Sequence, residues 1–353
     1  MHRLGVIVFA AVLVMVPRLS RAQTGDSWLG KRVITRYGAV LRVGTQVVDD
    51  EDRGKNLARR KERNTFRVYR VERTKDGWLW LVAEQGGARG WVRTEWVIAL
   101  DQAVDYCTNR IRANSGVASH YLHRGSVWDA KGEYDIALAD YNEAIRLDPN
   151  LAVAYYDRGN VWFDMQEYDK ALADYNEAIR LDPNLAVAYI NRGVAWGHKQ
   201  EYDIALADYN EAIRLDPNLA VAYTNRGVAW GHKQEYDKAL ADYNEAIRLD
   251  PQDTSAHNGR AWVWATSPEE KYRDGKRAVE SATRGCELSG WKEANHLGTL
   301  AAAYAEVGDF AKAVEWQTKA IELLKDEKGK DDYRARLKLY QEKKPYRVAV
   351  PAE

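Results

Sequence analysis

The sequence predicts a mainly α-helical protein of stacked helix pairs, preceded by a small all-β segment. Three observations carry this. Glycine, tryptophan, tyrosine and proline each recur every 34 residues from Gly125 onward. Within each period the apolar residues fall on two helical stripes. Ahead of the periodic region, three short β-branched and aromatic runs are divided by turn residues.

The chain begins with a basic pair, His2 and Arg3, and then an unbroken apolar run over residues 4–16, closed by Pro17. Ser20 and Ala22 place small residues at the two positions a signal peptidase reads. Residues 1–22 are therefore expected to be a secretory signal peptide, cleaved after Ala22 and directing the protein to the periplasm, cell envelope or exterior. The alternative is an uncleaved membrane anchor, although the run is shorter than the roughly 20 residues that span a bilayer.

Residues 28–100 follow a strand rule. The runs FRVYRVE (66–72), WLWLVA (78–83) and GWVRTEWVI (90–98) are split by Asp76-Gly77 and by Gln85-Gly86-Gly87. Short strands with tight turns predict a small barrel. The charged stretch 49–64 is expected to be a long exposed loop. Trp78, Trp80, Trp91 and Trp96 are weighed as barrel packing first and as a binding surface second.

Helices begin at residue 101. Shifted by one period, Ala103, Val104 and Ile111 match Ala137, Leu138 and Ile145, so residues 101–116 are expected to form half a repeat that caps the stack. Four full periods follow at 118–151, 152–185, 186–219 and 220–253. The last two differ only at Ile190/Thr224, Ile204/Lys238, Asn218/Gln252 and Leu219/Asp253. In the second period Tyr155, Gly159 and Trp162 share one helix face, and Ala171, Tyr175, Ala178 and Ile179 share another. Gly159 and Ala171 stand where the helices must approach closely. Asp182-Pro183 ends the second helix, since proline disfavours helix in the preceding residue, and Asn184 is expected to cap the next. A fifth, irregular period spans 254–292. Trp264 keeps its phase, but Ala278 arrives five residues late, so Thr266-Ser267-Pro268-Glu269-Glu270 reads as an inserted loop. A sixth spans 294–327, with Gln317 where an aromatic belongs. Tyr333, Leu337 and Tyr340 mark a final basic helix at 331–344 that caps the far end. A helix pair of this kind leaves an apolar face open and is stable only when stacked.

These residues closely resemble the tetratricopeptide repeat (TPR) family, whose pattern of aromatic, glycine, aromatic, alanine, aromatic, alanine and closing proline is met in full over 118–253. The run WLWLV followed by GWV resembles bacterial SH3-like domains. The combined resemblance implies a right-handed superhelical solenoid of TPRs preceded by an SH3-like barrel.

Catalytic chemistry finds no constellation. Cys107 and Cys286 fall on core positions, where an apolar setting suppresses the thiolate. His198 and His232 are one position duplicated, and no ligand spacing for zinc completes either. No phosphate loop, nucleophile elbow or HExxH motif occurs. The repeated acidic residues, such as Glu133, Glu167, Glu201 and Glu235, read as solvated helix faces. Lysine plus arginine equals aspartate plus glutamate at 52 each, so no basic surplus draws nucleic acid. No catalytic residue, metal, cofactor, small-molecule substrate or nucleic-acid partner is expected.

What remains is a groove. The family implies that partners touch the first helix of each pair. Carried onto this chain, the partner-binding positions are Leu122, Ser126 and Asp129; Tyr156, Asn160 and Asp164; Ile190, Asn191, Val194 and His198; and Thr224, Asn225, Val228 and His232. The lysine clamp of chaperone-binding members is missing, because Tyr156 stands where its first lysine belongs. The expectation is a non-catalytic scaffold that holds a neutral or mixed protein or peptide in a concave groove. The alternative is an envelope anchor, with residues 28–100 touching cell wall or a membrane complex.

Overall fold

The computed structural model describes residues 8–9, 31–35, 64–65, 68–75, 78–83, 89–93 and 97–349. The remainder of the signal segment, the charged stretch up to residue 63, the turns at Asp76-Gly77 and Gln85-Gly86-Gly87, and Trp96 lie outside these residues. The chain divides into two compact units, residues 1–195 and 196–353.

The first unit opens on strands. Val8–Phe9 (β1) pairs antiparallel with Asn64–Thr65 (β3). Arg32–Thr35 (β2), Val68–Lys75 (β4), Trp78–Ala83 (β5), Arg89–Arg93 (β6) and Val97–Ala99 (β7) form a five-stranded sheet in the order β6-β5-β4-β2-β7. Strands fall within each of the three expected runs, and neighbours pair antiparallel. A bulge between Val71 and Arg73 bends β4. Among the described residues β6 and β7 are the sheet's two ends.

The sheet does not stand alone. β7 runs directly into Leu100–Ala113 (α1). Ile34 and Ile98 from the sheet, Leu100, Ala103 and Cys107 from α1, and Val127 share one core. Arg32 also donates to the Ala130 carbonyl at 3.1 Å. The first helices thus cover Ile34 of β2 and Ile98 of β7, giving this edge of the sheet the packing a small sheet needs for stability.

Ala118–Lys131 (α2) packs on Tyr134–Leu147 (α3), and Ala152–Asp164 (α4) on Tyr168–Leu181 (α5). Ala186–His198 (α6) follows. Each pair closes on one device, a glycine facing a tyrosine ring. A Cβ on Gly159 would lie 2.8 Å from Tyr175 Cε1, and one on Gly125 would lie 2.8 Å from Tyr141 Cε1. The turn inside the pair requires left-handed backbone. Gly132 supplies it at φ 82°, but Gln166 adopts φ 63° at the same position of the next repeat, a strained choice for a residue with a Cβ.

One local expectation is corrected. Asn184 does not cap α6, which begins two residues later at Ala186. Instead the Asp182 carboxylate accepts from the Asn184 N–H at 3.1 Å, a side-chain turn that closes the linker.

The second unit repeats the scheme. Tyr202–Leu215 (α7) is followed by Ala220–His232 (α8) and Tyr236–Leu249 (α9), then by Thr254–Thr266 (α10) and Gly275–Leu288 (α11). Ala294–Glu306 (α12), Phe310–Leu323 (α13) and Glu327–Gln341 (α14) complete it. The insertion between α10 and α11 contains a single 3-10 turn at Glu270–Tyr272, and Tyr272 packs edge-on against Tyr236 at 5.4 Å. Gln317 is fully buried, and its amide donates to the Tyr333 carbonyl at 2.9 Å. A polar group therefore ties α13 to α14 where an aromatic was expected.

Both cysteines are free and buried, and burial pushes the Cys107 and Cys286 thiols up to about 12. Among the described residues no group of three or more His, Cys, Asp or Glu could hold a metal ion, and no helix is long and apolar enough to cross a membrane.

Candidate functional site

The repeated arginine of each first helix sets the frame. Arg158 on α4 reaches Asp174 on α5 through two hydrogen bonds at 2.8 and 2.6 Å. Its third donor reaches Asn142 on the preceding α3 at 2.6 Å. Arg226 does the same toward Asp242 at 2.8 and 2.7 Å and toward Asn210 at 2.7 Å. Arg124 binds Asp140 at 2.8 and 2.7 Å. One planar fork thus ties three helices, a geometry lysine cannot supply. The carboxylates are not solvated: Asp140, Asp174 and Asp242 are each under a tenth exposed. The expectation of solvated acidic faces holds at Glu133, Glu167, Glu201 and Glu235, which are exposed, and fails at these aspartates. A repeated arginine sixteen residues before a repeated aspartate was the signal that sequence reasoning passed over.

The partner-binding positions divide by depth. Leu122, Ser126, Tyr156, Asn160, Ile190 and Thr224 are all under a tenth exposed. They lie on the expected face of their helices, but neighbouring helices cover them, so they offer a partner almost no side-chain surface. In the first unit four of the polar groups here form a closed network. Tyr175 donates to Asn160 Oδ1 at 2.9 Å. Asn191 donates to the same oxygen at 2.8 Å and to the Tyr156 hydroxyl at 3.0 Å. Ser126 donates to the Leu122 carbonyl and accepts from Tyr141 at 3.3 Å. Asp129, Asn191 and Val194 are half-buried. Asp164 is also half-buried, and its carboxylate accepts from Tyr134 at 3.5 Å.

In the second unit the face is more open. Val228 is 42 % exposed, and His198 and His232 are exposed. The His232 ring stacks on Tyr202 at 4.7 Å, and loss of water around the ring lowers its pKa. Asn225 is half-buried. Thr224 donates to Asp253 at 2.6 Å.

The same face continues onto α10, where Trp262 and Thr266 stand one period after Val228 and His232. Here the protein's own C-terminal segment lies against it. Tyr346 packs on Trp262 with centroids 5.7 Å apart. Val348 donates its N–H to the Thr266 carbonyl at 3.0 Å. Arg347 donates to the Ala265 carbonyl at 3.3 Å and pairs with Glu306 at 2.5 Å. The Ala349 carbonyl accepts from Gln234 at 3.3 Å, at the end of the α8–α9 turn. Sequence reasoning missed this segment. Trp262 and Thr266 were reachable by the period, but residues 345–349 follow no pattern.

Comparisons agree with this architecture. A tetratricopeptide repeat family model matches residues 152–185, 186–219 and 220–253. Two related models match residues 130–166 and 297–325. No curated protein matches the sequence significantly. Among solved structures, one similar chain comes from the APC/C hetero-tetramer Cut9-Hcn1, at 15 % identity and TM-score 0.59, covering 67 % of this chain and 46 % of that one. This chain thus spans less than half the length of that relative. Another is a tetratricopeptide repeat protein from Parabacteroides merdae, at 18 % identity and TM-score 0.50, covering 69 % of this chain and 92 % of that one. Identities this low carry the fold alone. Family matches thus place tetratricopeptide repeats at residues 130–253 and 297–325, and the structural likeness shows the same helix-pair fold.

Proposed function

We propose that the protein is a non-catalytic interaction scaffold that takes a peptide segment along the first-helix face of its repeats. One observation carries this. Residues 345–349 lie on that face in the second unit, held by one backbone hydrogen bond from Val348 to Thr266, by the Arg347 guanidinium on the Ala265 carbonyl, by the Gln234 side-chain amide on the Ala349 carbonyl and by one aromatic contact of Tyr346 to Trp262. Backbone bonds with one or two side-chain anchors are how a groove holds a peptide of loose sequence. The face beside that segment is open at Val228 and His232, with no strong charge, and suits a neutral or mixed peptide.

The test places a photocrosslinking amino acid at Val228 or at Ile204. Both are comparably exposed, at 42 % and 44 %, so neither substitution disturbs the core, but Ile204 lies on a second helix. The expected result is a discrete partner crosslinked from Val228 and blocked by excess unlabelled protein, with none from Ile204. Equal capture from both positions would refute the groove assignment.

Export is part of the same proposal. It rests on the composition of residues 1–22, and the intact mass of protein recovered from cells decides whether cleavage follows Ala22. The SH3-like barrel likewise rests on the strand runs of residues 28–100. An anchoring role for that segment draws less support, because Ile34 and Ile98 are spent on packing against α1.

A further inference from the structure

The arginine fork has one exception. Arg260 on α10 occupies the fork position, and its third donor makes the usual bond to an asparagine, Asn244, at 2.8 Å. Its carboxylate partner is missing. The insertion delays α11 by five residues, and the position that answers to Asp242 is Ser281. Arg260 Nε and Nη2 reach only the Ser281 hydroxyl oxygen, at 3.3 and 3.2 Å. That hydroxyl gives its own proton to the His257 carbonyl at 2.9 Å. Two charged donors thus converge on one neutral oxygen, where three other repeats present a carboxylate.

The surroundings deepen the imbalance. Arg277 on α11 lies 4.1 Å from the Trp264 ring centroid, and Arg260 lies 4.9 Å from the same centroid. Neither arginine forms an ion pair among the described residues. With Arg284 and Glu280 these side chains line a cavity of about 230 Å³. Arg284 is half engaged by Glu287 at 3.1 Å, which leaves Glu280 as the one acidic group in the lining. Burial, and then the nearby Arg277, lower the pKa of Arg260, whereas the hydrogen bonds it donates to Asp242 raise that of Arg226. Guanidinium forks recognise planar carboxylates by paired hydrogen bonds.

We propose that the cavity between α10 and α11 is a carboxylate-binding site, in which Arg260 and Arg277 take an aspartate or glutamate side chain of a peptide partner at the place the missing aspartate would fill. The Trp264 ring forms its apolar wall, and Arg284 adds charge at its rim. The proposal rests on the reading of the protein as a peptide scaffold, but it uses none of the positions around Val228.

The experiment titrates the full-length protein with hexaglutamate, hexaglutamine and inorganic phosphate by calorimetry, at low and at moderate salt. Hexaglutamate is expected to bind and to weaken with salt, and hexaglutamine is expected not to bind. Two variants test the site. Arg277→Gln, on the exposed flank of α11, should weaken hexaglutamate at least tenfold. Ser281→Asp should rebuild the fork within the chain, abolish binding and raise the thermal midpoint. Unchanged hexaglutamate affinity in Arg277→Gln overturns the proposal even if Ser281→Asp fails to fold. Phosphate binding without hexaglutamate binding overturns it as well, since the site would then take a phosphoryl group. If hexaglutamate binds as expected while Val228 captures no partner, the groove reading fails and the cavity stands.

Discussion

The arginine fork can be measured most directly at Arg226, where both ends lie in one unit. Replacing it by methionine keeps much of the stem over Tyr223 and removes the charge. The side chains of Arg226 and Asp242 are 21 % and 8 % exposed. Breaking a buried pair from one side costs about 3–5 kcal/mol, because the remaining charge is stranded. Partial exposure of the arginine lets water reach the carboxylate, so the lower end, about 3 kcal/mol, is expected for Arg226→Met. Removing the carboxylate as well should restore most of this. The double variant Arg226→Met/Asp242→Leu should lie within about 1 kcal/mol of wild type, about 2 kcal/mol more stable than Arg226→Met alone, so the coupling is at least about 2 kcal/mol. Repeat arrays need not unfold in one step, so hydrogen exchange of α8 and α9 amides is the proper readout, with urea unfolding in support. A loss below about 0.5 kcal/mol and no coupling would show an ordinary solvated pair and refute the fork as a tie between repeats.

Two further outcomes follow from the packing. Gly159→Ala sets a methyl group 2.8 Å from the Tyr175 ring. Overpacking costs about 1–3 kcal/mol and alanine's helix preference returns about 1 kcal/mol, so melting should show a net loss of up to about 2 kcal/mol. Acid should destabilise the protein below pH 6.5. Burial holds His123 well below its ordinary value, with Arg110 and His120 adding to the shift, and burial also lowers His257 and His296. An unfolded chain takes up protons on these rings before the folded one does, so stability is full above pH 6.5 and falls as pH drops beneath it. Thermal midpoints from pH 8 to pH 5 check this, and a flat profile would contradict it.

The helix pairs were legible in the sequence because each repeat buries the same few residues at the same spacing. Gly159 beside Tyr175, and Ala171 beneath them, could be read without coordinates. Depth was not legible. Spacing places Tyr156, Ile190 and Thr224 on the first-helix face, but it cannot tell whether a neighbouring helix will cover that face. The closed network through Asn160 and Asn191 shows that it does. The aspartates at 140, 174 and 242 were misjudged for a related reason. A carboxylate beside a tyrosine on an amphipathic helix looks solvated until its arginine, sixteen residues earlier, is seen to bend over it. Residues 345–349 were beyond reach, since they belong to no repeat: their placement rests on one backbone bond to Thr266 and on contacts of Tyr346, Arg347 and Gln234 that no period marks.

A repeat array offers its own control for separating structure from function. A residue found in every copy is accounted for by packing, because every copy must solve the same packing problem. The arginine comes close to that standard: Arg124, Arg158, Arg192, Arg226 and Arg260 hold one position through the first five copies, and the sixth carries Leu300 there. A residue that departs from the repeat while its partners stay has lost the structural reason for those partners. Ser281 is such a departure. Arg260 stays half-buried in its fork geometry with nothing of opposite charge to hold, and the nearby Arg277 deepens the deficit. Packing alone would have favoured loss of the arginine once the aspartate was gone, since a partly desolvated guanidinium without a counter-charge is costly. Its retention beside a second guanidinium, on the walls of a cavity, is the pattern a site for an external carboxylate would produce, and Ser281→Asp asks whether the protein is more stable once that need is met from within.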